Sequence, residues 1–477
     1  MKISIKLISG LVIAFFLLFT TVNIFPQDNS KNAEGNWLGS LKVSGISLRI
    51  VFHISKTEDG NYKATMDSPD QGAKDIPVEK VSVNGDSIEI EMPQLRGEYK
   101  GRFDDEGTSI EGTWSQAGSN FPLNLEKTNK PVVINRPQEP KPPFPYNSED
   151  VSYVNIQEGN TLAGTFTFPK EGGPFPAVLL ITGSGPQNRD EELLGHKPFL
   201  VLSDYLTRRG IAVLRVDDRG VGKSTGNFAG ATSADFATDV LAGVEYLKTR
   251  KEVNKNEIGL IGHSEGGLIA PMVAVKSKDV AFIVLMAGPG VPGDSILIMQ
   301  EALISAAEGS SPDVVAKGRE VNREIYDIIK NEPDSVKAHN EVVNIFEIYY
   351  DSLPDSVKTK VGDKNTALKM LERIETPWFR FFLRYDPRPT LEKVKCPVLA
   401  IDGSKDLQVP PKEDLEAIAK ALKKGGNKNF KTVELKGLNH LFQDCNTGSP
   451  AEYNTIEETI SPTALKTIGD WVLKITK

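Results

Sequence analysis

Glu257-Ile258-Gly259-Leu260-Ile261-Gly262-His263-Ser264-Glu265-Gly266-Gly267-Leu268-Ile269-Ala270 is the stretch that decides the fold. Its first five residues read as a short buried strand, and those from Gly267 onward read as a helix. The G-x-S-x-G between them falls on the strand-to-helix turn. Such a turn is a tight, strained bend, so small residues must flank the serine on both sides. The bend exposes the hydroxyl at the end of a sheet and turns the first helical N–H groups toward whatever the serine attacks. The pentapeptide alone is a weak signal; its setting in the chain carries the argument.

Around it, short apolar strands recur: Ala177–Ile181, Ile211–Val216, Ile258–Ile261, Phe282–Met286 and Val398–Ile401. Most are separated by helical stretches, one of which places Phe236, Val240, Val244 and Leu247 at helical spacing. Strands alternating with helices predict a mainly parallel sheet covered on both faces. Tyr153–Ile156 and Leu162–Phe166 open it as an antiparallel pair. The alternation breaks once, between Gly290 and Lys395, over about a hundred residues of helical periodicity without a strand signal. We read 291–394 as a helical cap over the strand ends. Val342, Ile345, Phe346 and Tyr349 form one aromatic-aliphatic stripe there, and Trp378, Phe381, Phe382 and Tyr385 form another. Both are expected in the core of the cap.

A serine hydroxyl needs a base to take its proton and a third group to orient that base. In a parallel sheet such groups come from loops at the carboxyl ends of the strands. The chain has five histidines. His53 falls in an N-terminal β-rich region, His196 lies early, His339 is inside the cap, and His263 adjoins the serine and cannot turn back onto its hydroxyl. His440 remains, just after the strand Thr432–Leu435. By the same logic Asp406 follows the strand Pro397–Ile401, giving the chain order serine, acid, histidine. Asp402 reads as a turn residue, and Asp294 is the outside alternative. The oxyanion of an acyl-transfer intermediate needs N–H donors. Glu265, next to the serine, supplies one, and Ser184 in Thr182-Gly183-Ser184-Gly185-Pro186 the other, with Gly185 close behind. Gly220-Val221-Gly222-Lys223-Ser224-Thr225 ends like a phosphate loop, but Asp217 stands where its first glycine belongs. No histidine–carboxylate spacing suggests a catalytic metal.

The chain of 477 residues is long enough for two or three domains. Its net charge of −8, with no basic stripe, argues against a nucleic-acid partner. Lys2 and Lys6 precede the apolar run Leu7–Phe19, so residues 1–27 read as an export signal and the protein as periplasmic or secreted. No A-x-A pattern marks the cleavage site. An uncleaved run to Phe25 approaches spanning length and would anchor the chain, the one route to membrane contact. No cysteine there offers a lipoprotein attachment site. Cys396 and Cys445 are expected at opposite ends of the sheet and therefore free. Residues 35–128 alternate with period two, as in Leu48, Ile50, Phe52 and Ile54, between frequent turn signals, which predicts a small antiparallel barrel. Trp37 and His53 are expected to pack there rather than to line a cavity. Asn135–Tyr146 holds five prolines, and 129–148 reads as a linker to a catalytic domain over 149–477.

With these residues in place, 150–477 resembles the α/β-hydrolase superfamily. The resemblance rests on the elbow GHSEGG, on Asp217-Asp218-Arg219-Gly220-Val221-Gly222-Lys223-Ser224, and on the Asp406 and His440 loops. Thr182 to Asp190 looks like the G-S-G…R-D signature of bacterial EstD-type esterases. This implies a serine carboxylesterase with a helical cap, no cofactor and a small-molecule ester substrate. It leaves the oligomeric state and the role of the leader open. A serine peptidase is the first alternative, although the loop lacks an H-G-G sequence and the leader is too small for a propeller. A binding protein on a hydrolase scaffold is the second.

Overall fold

The computed structural model describes residues 31–476 apart from 44–45, 72, 131–134 and scattered positions between 356 and 375. The export signal expected at 1–27 lies outside the described residues. Among those described, no helix is long and apolar enough to cross a membrane.

Ten antiparallel strands come first: β1 (Gly35–Val43), β2 (Ile46–Lys56), β3 (Tyr62–Ser68), β4 (Ala73–Pro77), β5 (Lys80–Asn84), β6 (Ser87–Met92), β7 (Gly97–Phe103), β8 (Ser109–Gln116), β9 (Ser119–Pro122) and β10 (Leu125–Thr128). Because β10 pairs with both β1 and β8, the sheet closes on itself as an eight-stranded barrel, with β4 and β9 as side strands. Closure removes the exposed edges that an open sheet of this size would present. The period-two residues point inward, and Trp37, Phe52, Ile90, Tyr99 and Ile110 are completely buried. Trp37 donates its indole N–H to the Ala33 carbonyl at 2.7 Å, while His53 stands outside between Asn36 and Asp67. The interior is thus a packed core.

The second unit is a sheet of β11 (Asn147–Val154), β12 (Thr161–Phe168), β13 (Phe175–Ile181), β14 (Ala212–Val216), β15 (Val253–His263), β16 (Val280–Met286), β17 (Val398–Gly403) and β18 (Phe430–Leu435). Their order is β11-β12-β14-β13-β15-β16-β17-β18, antiparallel over the first three and parallel thereafter. Helices α1 (Pro198–Thr207), α2 (Ser233–Thr249) and α3 (Glu265–Ala274) join the early strands. Between β16 and β17 rise α4 (Gly293–Ala307), α5 (Pro312–Asn331), α6 (Ser335–Ser352), α7 (Pro377–Arg384) and α8 (Arg388–Leu391), the expected cap. Helices α9 (Pro411–Lys424) and α10 (Pro462–Ile475) complete the domain. Val178, Leu260, Val284 and Leu399, on four neighbouring strands, are fully buried, as strands covered on both faces require. This is an α/β-hydrolase fold preceded by a β-barrel.

The proline-rich linker is not a free spacer. The Arg136 guanidinium donates to the carbonyls of Leu194, Gly195, Asn454 and Ile456, and Gln138 hydrogen-bonds Thr459 and Ile460. Proline removes backbone donors, so these two polar side chains supply the contacts that dock the strap. The barrel also touches the catalytic domain. Leu48 packs with Leu194, Leu441 and Tyr453, and Asn454 donates to the Ser47 carbonyl at 2.7 Å. Leu441 follows His440, so the barrel rests on the loop that carries the candidate base.

His196 is buried under this junction, donating from Nε2 to the Tyr453 carbonyl at 2.8 Å and facing the Thr459 hydroxyl through Nδ1. Burial, aided by nearby Arg136, pushes it down to about 4 from the usual 6.5. The folded ring stays neutral while the unfolded one takes a proton near 6.5. Stability therefore falls as pH drops from about 6.5 to about 4, by about 3 kcal/mol in all. Urea unfolding of the wild type and His196→Gln at pH 7 and 4.5 checks this. The variant is expected to lose less on acidification, and equal losses would contradict the assignment.

Candidate active site

Ser264 sits between β15 and α3 at φ 52° and ψ −119°, a conformation side chains rarely adopt. Crossing glycines hold it there. A Cβ on Gly262 would stand 2.0 Å from the Gly266 carbonyl oxygen, and one on Gly266 would stand 2.1 Å from that of Ile181. The chain passes so closely that only hydrogen fits at either position. The Ser264 N–H donates to the Met286 carbonyl at 2.8 Å, which fastens the bend to β16. Its hydroxyl makes no hydrogen bond among the described residues and borders a cavity.

The structure brings His440 and Asp406 together. Nδ1 of His440 lies 2.6 Å from Oδ2 of Asp406, and both side chains are buried. The other Asp406 oxygen accepts the N–H groups of Gln408 and Val409 at 2.7 and 2.9 Å, so the carboxylate is held from both ends. Asp402 does not compete for the imidazole. It lies buried beside Asp406 and accepts the Gly403 N–H at 2.7 Å, and burial with the Asp406 charge raises its carboxyl well above the usual range. Asp294 is elsewhere, paired with Lys330 at 2.5 Å. His53 is on the barrel, His196 at the junction and His339 on α6.

Ser184 borders the same cavity as Ser264 and Glu265, whereas Gly185 borders a separate one behind the turn. The Gly183 N–H is already taken by Glu191 Oε1 at 2.8 Å. Glu265 Nα opens α3, where no intrahelical carbonyl can take its hydrogen. The cavity is walled by Ile296, Leu297, Trp378, Phe382 and Val409, with Gln300 and Gln408 as polar members. One stripe of the cap thus departs from expectation: Val342, Phe346 and their neighbours are cap core, but Trp378 and Phe382 stack together over the serine. The Trp378 indole N–H donates to Glu265 Oε1 at 2.7 Å, and the Ser233 hydroxyl does so at 2.5 Å. Burial raises the Glu265 carboxyl above its usual range, and the side chain ties the elbow to the cap and to α2.

The two signature segments interlock. Arg189 forms a two-pronged pair with Asp217, at 3.0 and 2.7 Å. Arg215 pairs with Asp190, and Arg219 with Asp239. Asp218 accepts the Thr182 hydroxyl at 2.8 Å and the Gln187 N–H at 2.9 Å; burial pushes its carboxyl up to about 7. The loop resembling a phosphate site is therefore a turn folded around Asp217, with the Ser224 hydroxyl donating to that residue's carbonyl at 2.7 Å. Among the described residues no cluster of histidine, cysteine and carboxylate side chains could hold a metal ion. Both cysteines are free. Sequence reasoning missed Glu191 and the structural part of His263, which sit in direct contact at 2.9 Å.

The sequence profile described as X-Pro dipeptidyl-peptidase (S15 family) matches residues 158–428, more than half of the chain. The chain belongs to the S15 family. It is an enzyme, a serine hydrolase. The matched part of this S15 chain includes Ser264 and Asp406 and stops before His440. The chain is also similar to esterase EstD of Thermotoga maritima, 27% identical over 327 residues that cover 66% of each protein. A bifunctional esterase/perhydrolase of Acinetobacter calcoaceticus is 24% identical, over 61% of this chain and 93% of its own length. Among solved structures, an esterase of Pyrococcus furiosus aligns with a TM-score of 0.42 at 17% identity, covering 72% of this chain and 98% of that one.

Gly266→Ala tests the packing of the elbow. Its new Cβ meets backbone, which cannot yield as a side chain can, so about 3 kcal/mol or more of stability should be lost. Thermal unfolding measures it, and an unchanged midpoint would contradict the close crossing.

Proposed function

We propose that the protein is an exported serine carboxylesterase acting on esters with small to medium acyl groups. The observation that carries this is the buried His440–Asp406 pair at 2.6 Å, with the His440 carbonyl 3.0 Å from the ring of His263, the residue before a serine held at φ 52°. His440 Nε2 takes the Ser264 proton as Oγ attacks the ester carbonyl. Asp406 keeps the Nδ1 hydrogen in place and offsets the charge that develops on the ring. The oxyanion accepts hydrogen bonds from the Glu265 and Ser184 N–H groups, fixed donors that need no rearrangement during the reaction. When the intermediate collapses, the C–O bond of the alcohol breaks and His440 protonates the leaving oxygen. Water, deprotonated by the same imidazole, then releases the acid from Ser264.

The cavity supports an ester of modest size. Its walls are mostly apolar, which suits an alkyl acyl chain. The relatives named as esterases point the same way. Export is supported by the pattern of Lys2, Lys6 and Leu7–Phe19 alone. A peptidase is the second reading, favoured by the S15 profile over 158–428.

Hydrolysis of p-nitrophenyl esters from acetate to palmitate, beside an alanyl-proline p-nitroanilide, separates the two. Turnover is expected to peak at a short or medium chain and to vanish in Ser264→Ala. Asp406→Asn should lower kcat by about 10³–10⁴-fold, because the imidazole loses its orienting charge. Faster release of nitroaniline than of nitrophenol would favour the peptidase, and full activity in Ser264→Ala would reject both.

A further inference from the structure

One buried carboxylate touches two segments of the site and reaches a third through a histidine. Glu191 is 4% exposed and sits at φ 51°, a backbone state that costs a non-glycine residue free energy and persists only under constraint. Its Oε1 accepts the Gly183 N–H at 2.8 Å and lies 2.9 Å from His263 Nδ1. On the far side of the ring, His263 Nε2 lies 3.0 Å from the His440 carbonyl oxygen. That oxygen can only accept, so Nε2 carries a hydrogen. Nδ1 in turn faces an acceptor that already receives a backbone N–H. A ring with hydrogens on both nitrogens, paired with an ionised Glu191, satisfies every contact at once.

The chain order makes the consequence concrete. Gly183 precedes Ser184, His263 precedes Ser264, and the third contact is the backbone of His440 itself. A Cβ on Gly183 would lie 3.3 Å from Ser264 Cβ, so the donor turn runs close by the nucleophile. By occupying the Gly183 N–H, Glu191 sets the path of the chain into Ser184 and so the aim of its N–H. We propose that Glu191 is a positioning residue that, through a doubly protonated His263, holds the Ser184 donor and the His440 base in register with Ser264. The inference rests on the triad reading above. Burial opposes the charge on His263, but the Glu191 carboxylate outweighs it and raises the ring above its usual range. The His263 and His440 rings lie 4.9 Å apart, so a shift of one is felt by the other.

Glu191→Gln tests the pair, because the amide can still accept the Gly183 N–H but cannot balance a charged ring. Steady-state kinetics on a p-nitrophenyl ester should show kcat lowered by about 10–100-fold with KM within about threefold, the mark of misplacement rather than lost binding. His263→Gln should do the same, and the double variant should be no worse than the poorer single one, since both break one unit. Nitrogen-15 histidine NMR of the wild type at pH 8 should show two ring hydrogens on His263 and one in Glu191→Gln. Unchanged kcat in both variants, multiplying losses in the double variant, or a singly protonated His263 in the wild type would each overturn the proposal. The wild-type spectrum decides even where a variant does not fold. Ser264→Ala run beside them keeps the two readings apart: activity that survives it rejects the triad, whereas a dead Ser264→Ala with full activity in Glu191→Gln rejects only the pair.

Discussion

Everything at the site depends on keeping one serine in a backbone conformation that its own side chain disfavours. Positive φ at a non-glycine residue costs on the order of 1–3 kcal/mol, and the surrounding structure has to impose it. Here the imposition comes from contact between backbones. Gly262 and Gly266 let the strand, the helix and the end of β13 approach to where no side chain fits, and the Met286 carbonyl fastens the serine amide. The bend aims the hydroxyl out of the sheet and turns the first N–H of α3 toward the same space. On the proposed reading, nucleophile and one oxyanion donor are thus products of a single constraint.

The proposed second donor and base come from distant parts of the chain, and charge holds them. Glu191, Asp217 and Asp218 receive the hydrogen bonds that fold the Gly183–Arg189 loop against the sheet. Each ion pair there is partly or fully buried, so removing one partner leaves an uncompensated charge at a cost of several kcal/mol. The His440 loop is held by Asp406 and by His263, and it is backed by Tyr453 and the barrel residue Leu48. In this arrangement the barrel is a neighbour of the catalytic loop, with the Arg136 strap closing the junction.

Much of this was legible in the sequence because it is local. A strand, a bend of small residues and a helix occupy one run around Ser264, and Asp406 and His440 each follow an apolar strand directly. Period-two alternation likewise marks the barrel and picks out many of its interior residues, such as Ile50, Phe52 and Ile54. What stayed hidden depends on partners far apart in sequence. Glu191 is one acidic residue in a charged run, and nothing in its spacing announces contacts with Gly183 and His263. His263 could be excluded as the base, yet its bond to the His440 backbone spans 177 positions. Trp378 and Phe382 share helical spacing with true cap-core residues, and only packing separates a wall from a core. The prolines of the linker suggested a spacer, while the docking is done by Arg136 and Gln138 between them.

The central claim is that Ser264 carries the acyl group during turnover. Acid-quenching the protein during turnover of a slowly deacylated p-nitrophenyl ester, then mapping peptides by mass spectrometry, tests it most directly. The account predicts the acyl mass increment on the peptide spanning Asn256–Lys276, assigned to Ser264 by fragmentation. An increment on another residue, or steady ester turnover with no acylated peptide at all, would contradict it.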